Sequence, residues 1–425
     1  MKWPASTVAG ISSMVGGGTP SKRNAHFWNG HIPWVSPKDM GSDEIHDTQD
    51  HITQEAVNAS ATKLVPEGAT IVVVRSGILA HRFPVSICRR PMALNQDLKA
   101  LIPRAGVVPE YLAYLLRSKE QTVLTECVKR GATVHSVDTQ KLKGLAVSLP
   151  PPSEQRRIVE ILDQADELWK KRAEADKIAD RIVPALFYKM FGDPATNPMG
   201  WEVRAIGDIT ALVTSGLTPR GGAKNYLTTG PYFLRSQNVR MNSLDLSDIA
   251  CLPPGIHESM SRTHVKYGDV LLNITGASIG RVAWYDRNDE PANVNQHVCI
   301  LRLTAKATPQ FVSFFLSTPH GQQAILRAQT GATRQGLNHE NVRGIPILCP
   351  PLPIQEAFAV QYDTVKESSR RRHDGATKLD SLSSVLLHRA FTGDLTAKWR
   401  EAHMKELLQE MEQQSRELKL KEATV

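Results

Sequence analysis

The chain has no run of about 18 apolar residues, the length a membrane-crossing helix requires, so no transmembrane segment is expected. Met1-Lys2-Trp3-Pro4 lacks the apolar stretch of a secretory leader. Cysteine is scarce: Cys88, Cys127, Cys251, Cys299 and Cys349 stand singly, without any Cys-x-x-Cys. Such a set excludes a disulfide framework or a paired-cysteine zinc site, and fits buried thiols in a reducing cytoplasm. Catalytic signatures are missing too. Gly16-Gly17-Gly18-Thr19-Pro20-Ser21-Lys22 lacks the spacing of a phosphate-binding loop, and Pro20 stands where the helix should open. No Gly-x-Gly-x-x-Gly follows a strand, and none of the 14 histidines forms His-x-x-x-His on a helix. The Pro-Pro pairs lack the flanking Asn or Asp and the aromatic that amino-methyltransferases place around a target base. The chain is therefore expected to be non-catalytic, with no metal or cofactor of its own.

What is present is ordinary bulk and an excess of positive charge. The 425 residues are enough for two or three domains with real cores, and 41% are hydrophobic. A formal net charge of +8 favours a polyanionic partner.

The most informative feature is an internal repeat about 200 residues apart. Thr19-Pro20 recurs as Thr218-Pro219, Gly68 as Gly268, Asn95-Gln96 as Asn295-Gln296, and Gly131-Ala132-Thr133 as Gly331-Ala332-Thr333. Pro150-Pro151 with Gln155 returns as Pro350-Pro351 with Gln355, and Trp3, Val8 and Ile11 as Trp201, Ile206 and Ile209. This period is far longer than the 20–50 residues of solenoid units. It predicts two whole domains, each of mixed short strands with one helix, beginning after Pro109 in the first and repeated around Phe311, Val312, Phe315 and Leu316 in the second.

Each domain ends at a proline cluster, which is tolerated at the first turn of a helix. Ser153 is expected to cap the first helix and Glu154-Gln155 to supply its first-turn polarity. Ile158, Ile161, Leu162, Ala165, Leu168, Trp169, Ala179, Ile182 and Leu186 form a broken apolar stripe, and Ala357, Phe358, Tyr362, Val365, Leu382, Val385 and Leu386 another. Pro184 should kink the first helix and Ser384 should leave the second straight, while Arg370-Arg371-Arg372-His373 and Gly375 predict an interruption there. Related by a pseudo-two-fold, the two helices would run antiparallel, and about 38 residues would span ~57 Å. Trp399, Met404, Leu407, Leu408, Met411 and Leu418, set among Glu, Gln and Lys, read either as a docking tail or as a solvated terminus.

The fold class expected is α+β, with two tandem pseudo-symmetric recognition domains separated by long helices in an antiparallel coiled-coil spacer. The boundaries are 1–152, helix 153–192, 193–352, helix 353–395, and a helical tail 396–425. Polar and basic content recurs in the loops. Arg, Asn, Gln and Thr there suit readout of base edges, and glycines let backbone amides approach phosphates. The candidate DNA-binding residues are Lys22, Arg23, Arg75, Arg82, Arg130, Thr133 and His135 in the first domain. In the second they are Arg220, Lys224, Asn225, Arg281, Thr333, Arg334 and Gln335. Asn95-Gln96 and Asn295-Gln296 are read either as turn-formers or as contacts. Matched frames with differing side chains predict that the two domains read different sequences.

These features resemble the specificity subunit of type I restriction–modification systems. The tandem domains and the Gly-Ala-Thr loop carry the likeness, together with three segments: Leu149-Pro150-Pro151-Pro152-Ser153-Glu154-Gln155-Arg156-Arg157-Ile158, Phe187-Tyr188-Lys189-Met190-Phe191-Gly192-Asp193-Pro194, and Arg389-Ala390-Phe391-Thr392-Gly393-Asp394-Leu395-Thr396. The resemblance implies that each domain reads one half of a split, asymmetric double-stranded DNA site from the major groove. It implies that the helices set the gap and seat two methyltransferase subunits, with motor–nuclease subunits added. S-adenosylmethionine, ATP and Mg would belong to those partners. A modification-only complex and a scaffold binding DNA without specificity are the alternatives; a self-contained enzyme would need the missing motifs.

Overall fold

The computed structural model describes residues 2–329 and 336–418, without the side chains of 373, 374, 376–381 and 383. The chain divides into two compact units, residues 1–172 with 375–425, and residues 173–374. No helix among the described residues is long and apolar enough to cross a membrane.

In the first unit a five-stranded sheet runs in the order Ser12–Gly16, Leu98–Pro103, Thr70–Val73, Val85–Cys88, Glu44–Ile45. The first four pair antiparallel, and Glu44–Ile45 joins in parallel. A second sheet contains the parallel pair Ile32–Val35 and Met92–Leu94. Ile71, Val72 and Val73 are buried, as a strand covered on both faces requires. The helix Pro109–Ser118 follows, its proline at the start where the missing N–H has no helical partner. Its Tyr111, Leu112, Leu115 and Leu116 share one core with the sheet and with Ile158 and Leu162.

The second unit repeats the plan. The order is Thr210–Ser215, Val298–Leu303, Val270–Asn273, Val282–Trp284, all antiparallel. A parallel pair again appears in its other sheet, Leu227–Leu234 with Ala292–Val294. Phe311, Val312, Phe315 and Leu316 of the helix Pro309–Ser317 are buried.

The long helices run Pro152–Ala179, then Ile182–Phe191, and Leu352–Thr392. The break at Asp180-Arg181 is the expected effect of Pro184, whose ring collides with the carbonyl four residues earlier. The interruption expected at 370–375 does not occur. Charges on neighbouring segments compensate the basic run: Arg370 lies 3.5 Å from Asp286, Arg371 3.0 Å from Glu367, and Arg372 3.3 Å from Asp176. A helical glycine costs only about 1 kcal/mol relative to alanine, and a side chain at Gly375 would meet Arg172 at 3.4 Å.

Within each unit the helix segments run antiparallel. In the second unit Asp176 faces Arg372, while Phe187 and Phe191 pack on Phe358 with ring centroids 5.6 and 5.4 Å apart. Phe358 is fully buried in this aromatic cluster, so Phe358→Ala should cost about 3–5 kcal/mol. Thermal melting of the chain checks it. The stripes are not buried throughout: Leu168, Ile182, Leu382 and Val385 are exposed.

Two other expectations are corrected. Ser153 lies inside the first turn and does not cap it, and Glu154 and Gln155 are fully buried. Gln155 accepts from the Val108 amide at 2.7 Å and donates to the Gly106 and Pro150 carbonyls. Gln355 does the same with Thr308, Lys306 and Pro350. The recurring glutamine thus staples each helix start to its domain. The tail forms helices Ala397–Ala402 and Met404–Leu418 against the first unit. Glu410 there accepts the Ser153 amide at 2.9 Å, a carboxylate at a helix start, and Gln414 donates to the same Gly106 and Pro150 carbonyls.

Candidate nucleic-acid interface

Strand register determines which loops meet. In the first unit Gly16, the end of its strand, pairs with Lys99 near the start of Leu98–Pro103. Leu98 pairs with Val73 at the end of Thr70–Val73, and Val72 with Val85 at the start of the next strand. The loops 17–23, 74–84 and 95–97 therefore leave one end of the sheet together. A small sheet brings in the fourth loop: His135 pairs with Ser76 and Ser136 with Arg75. The second unit reproduces this through Ser215 with Cys299, Asn273 with Val298, and Leu272 with Val282. Its matching bridge joins Thr275 to Gly336.

The repeated polar anchors hold this end in shape. Thr19 Oγ1 donates to Gln96 Oε1, and Thr218 Oγ1 to Gln296 Oε1. Asn95 Oδ1 accepts the Asp97 amide at 2.7 Å, and Asn295 Oδ1 the His297 amide at 3.1 Å, each closing a local turn. The glycine preceding each Thr-Pro loop is forced by close approach: a side chain at Gly17 would stand 2.2 Å from the Asn95 carbonyl, and at Gly216 1.6 Å from the Val294 carbonyl. In the first unit Trp34 Nε1 also ties the Gly18 carbonyl, and Trp28 Nε1 that of Ser21.

On this frame the structure brings together most of the sequence candidates. Lys22, Arg23, Arg75, Arg82, Arg130 and Thr133 are exposed at the loop end of the first unit, with His135 half-buried. His135 Nδ1 accepts the Gly131 amide at 3.2 Å and shapes its own loop. In the second unit Arg220 and Lys224 are exposed and Arg281 half-buried. The Asn225 amide is committed locally, donating to the Arg220 carbonyl. Thr333, Arg334 and Gln335 lie outside the described residues. Residues outside the candidate set also line this end: Asp97, Val134 and Pro37 in the first unit, and Thr275 and His297 in the second. For Asp97 and His297 the available signal was adjacency to the recurring Asn-Gln.

Several arginines elsewhere are matched: Arg89 with Glu44 and Glu110, Arg302 with Asp269, and Arg400 with Glu154. Lys22, Arg23, Arg75, Arg82, Arg130, Arg220, Lys224 and Arg281 have no ion-pair partner among the described residues. Unmatched cations on glycine-bearing loops are what a phosphate backbone requires. The cysteines offer no competing chemistry. Four are buried, and burial pushes the Cys299 thiol up to about 12, far from the thiolate a nucleophile needs.

A family model described as the type I restriction modification DNA specificity domain matches residues 1–178 and again 198–367. The chain belongs to this family. Among members of this specificity-domain family, the type I restriction enzyme EcoR124I/EcoR124II specificity subunit of Escherichia coli is 44% identical over 169 residues, 40% of this chain. The MjaIX specificity subunit of Methanocaldococcus jannaschii is 30% identical over 236 residues, 51% of this chain. These matches span 42% and 54% of the relatives' own lengths. The EcoKI specificity subunit of Escherichia coli strain K12 is 20% identical over 429 residues, covering 94% of this chain and 90% of the relative. The crystal structure of the type I S subunit from M. genitalium shares the fold with a TM-score of 0.56 at 13% identity, covering 92% of this chain and 96% of that one. A chain from work on assembly and conformational transition of the type I R-M system gives 0.58 at 17% identity, covering 93% and 98%.

Proposed function

We propose that this chain is the DNA-specificity subunit of a type I restriction–modification complex. One observation carries the reading: at the same end of each unit, three loops stand on a matched frame with unlike side chains and unmatched cations, joined by the strand at His135 in the first unit and by Gly336 in the second. Each unit reads one half of a bipartite, asymmetric site in double-stranded DNA. Residues 1–152 and 193–352 are the recognition domains, 153–192 and 353–395 the spacer helices, and 396–425 a tail that braces the first domain. Exposed Leu168, Leu382 and Val385 on the helices of the first unit offer apolar area for a methyltransferase subunit. The chain itself is non-catalytic and acts in the cytoplasm. Two modification subunits bring S-adenosylmethionine, and motor–nuclease subunits bring ATP and Mg chemistry.

Selection of bound sequences from random duplex DNA by the chain assembled with its methyltransferase subunits tests this. A single bipartite sequence with a fixed gap is expected. Salt-sensitive binding without sequence preference would favour a scaffold instead, because phosphate contacts confer salt dependence and no information. Within the same assay, Arg130→Ala is expected to weaken all sequences alike and to reduce the salt slope by about 1, as loss of one phosphate contact does.

A further inference from the structure

The frame at the reading end is nearly superimposable in kind, yet one pair of matched positions changes its chemistry completely. The Val74 amide donates to the Asp97 carbonyl at 2.8 Å, and the Ile274 amide to the His297 carbonyl at 2.9 Å. The next strand docks alike, Val137 onto Val74 at 2.8 Å and Leu337 onto Ile274 at 3.0 Å. These bonds make residues 75 and 97 the counterparts of 275 and 297. In the first unit the pair is Arg75 and Asp97, lining a cleft of about 410 Å³ with Ser76, Gln96 and Val134. Neither has an ion-pair partner among the described residues, so both heads remain available. Gln96 is already bound through its Oε1 to Thr19 and offers only a weak 3.5 Å contact to Asp97.

The second unit presents the opposite character. His297 Nδ1 lies 2.5 Å from Thr275 Oγ1, and His297 Nε2 3.2 Å from the Gln296 amide nitrogen. An amide nitrogen only donates, so the ring Nε2 accepts and the ring proton sits on Nδ1. Thr275 Oγ1 accepts that proton, which leaves its own hydroxyl proton free to donate. At these two positions a hydroxyl donor stands in place of the guanidinium and carboxylate of the first unit.

We propose that positions 75/97 and 275/297 are the base-reading pairs of the two units, and that the first reads a G·C pair across its whole major-groove edge. Arg75 forks onto guanine O6 and N7 while Asp97 accepts from the N4 amine of the paired cytosine, groups that only a G·C pair presents side by side. Thr275, oriented by His297, donates to one base acceptor and discriminates less. This inference rests on the specificity reading above and goes beyond it by naming the residues and the base pair.

The test uses the chain assembled with its methyltransferase subunits and selection from random duplexes, for wild type, Arg75→Ala, Arg75→Lys, Asp97→Asn and the exchange R75T/D97H. Arg75→Ala is expected to relax one G·C position of the first half-site by about tenfold to a hundredfold, Asp97→Asn, which keeps one acceptor oxygen and loses the charge, to relax it less, and both to leave the second half-site unchanged. Arg75→Lys, which keeps charge and loses the fork, should relax the same position. The exchange should replace that position's preference. Arg75 is exposed, so unaltered melting of its variants separates readout from folding. Wild-type selection of a bipartite site with no change in the variants, or loss uniform across sequences, overturns the inference while leaving the specificity reading intact. Absence of any wild-type preference overturns both.

Discussion

Exchange of residues 1–150 for the matching unit of another member of the family changes one half of the DNA target and leaves the other half untouched. Each mismatched base pair costs about 1–3 kcal/mol, roughly additively. Replacing a three-base half-site should thus weaken binding to the original target by about 3–9 kcal/mol. Part of the seam is backbone, and the incoming unit must also supply side chains equivalent to Trp3, Tyr111 and Tyr114, which reach Glu154, Phe391, and Asp163 with Asp166. Gln155 and Gln414 bond to the Gly106 and Pro150 carbonyls, and Gln155 to the Val108 amide, none of which depends on the side chains exchanged. Binding-site selection on the chimeric complex checks the outcome. A change in both halves would contradict two independent readers.

The second large effect is on stability. Glu154 is fully buried, accepting Trp3 Nε1 at 2.9 Å, Thr396 Oγ1 at 2.6 Å and Arg400 Nε at 2.8 Å. Arg400 also lies over the Trp3 ring and donates to the Gly393 carbonyl. Arg400→Ala strands a buried carboxylate, which costs about 3–5 kcal/mol. Melting of the first unit should fall by on the order of 10 °C, with the transition of the second unit unmoved. Calorimetry reads both. A loss below about 1 kcal/mol would mean that the pair is solvent-screened in practice.

The fold was legible where the physics is local. Pro109 marked one helix start, the recurring Phe311, Val312, Phe315 and Leu316 marked its counterpart, and Pro184 marked the break. The repeat also exposed its own anchors, Thr-Pro, Asn-Gln and the glutamine after the prolines. Their roles were not legible, because a recurrence identifies a residue and not its partner. Gln155 reads as first-turn polarity until the Gly106 and Pro150 carbonyls are seen to converge on it. The basic run at 370–373 failed as a breaker for the same reason: Asp176 and Asp286, which neutralise it, are far away in sequence. At the reading end, Arg75 and Arg130 were visible as cations in glycine-bearing loops. Asp97 and His297 were not, since a carboxylate and an imidazole after a turn carry no readout signal until register places them beside residues 75 and 275.

The most direct test of the central claim is genome-wide mapping of adenine methylation in the source cell, with this gene intact and deleted, and with the partner subunits expressed in both. One bipartite motif, two unlike halves separated by a fixed gap, should be methylated in the first case and unmethylated in the second. A methylation map that is the same with and without the gene would contradict the assignment of specificity to this chain.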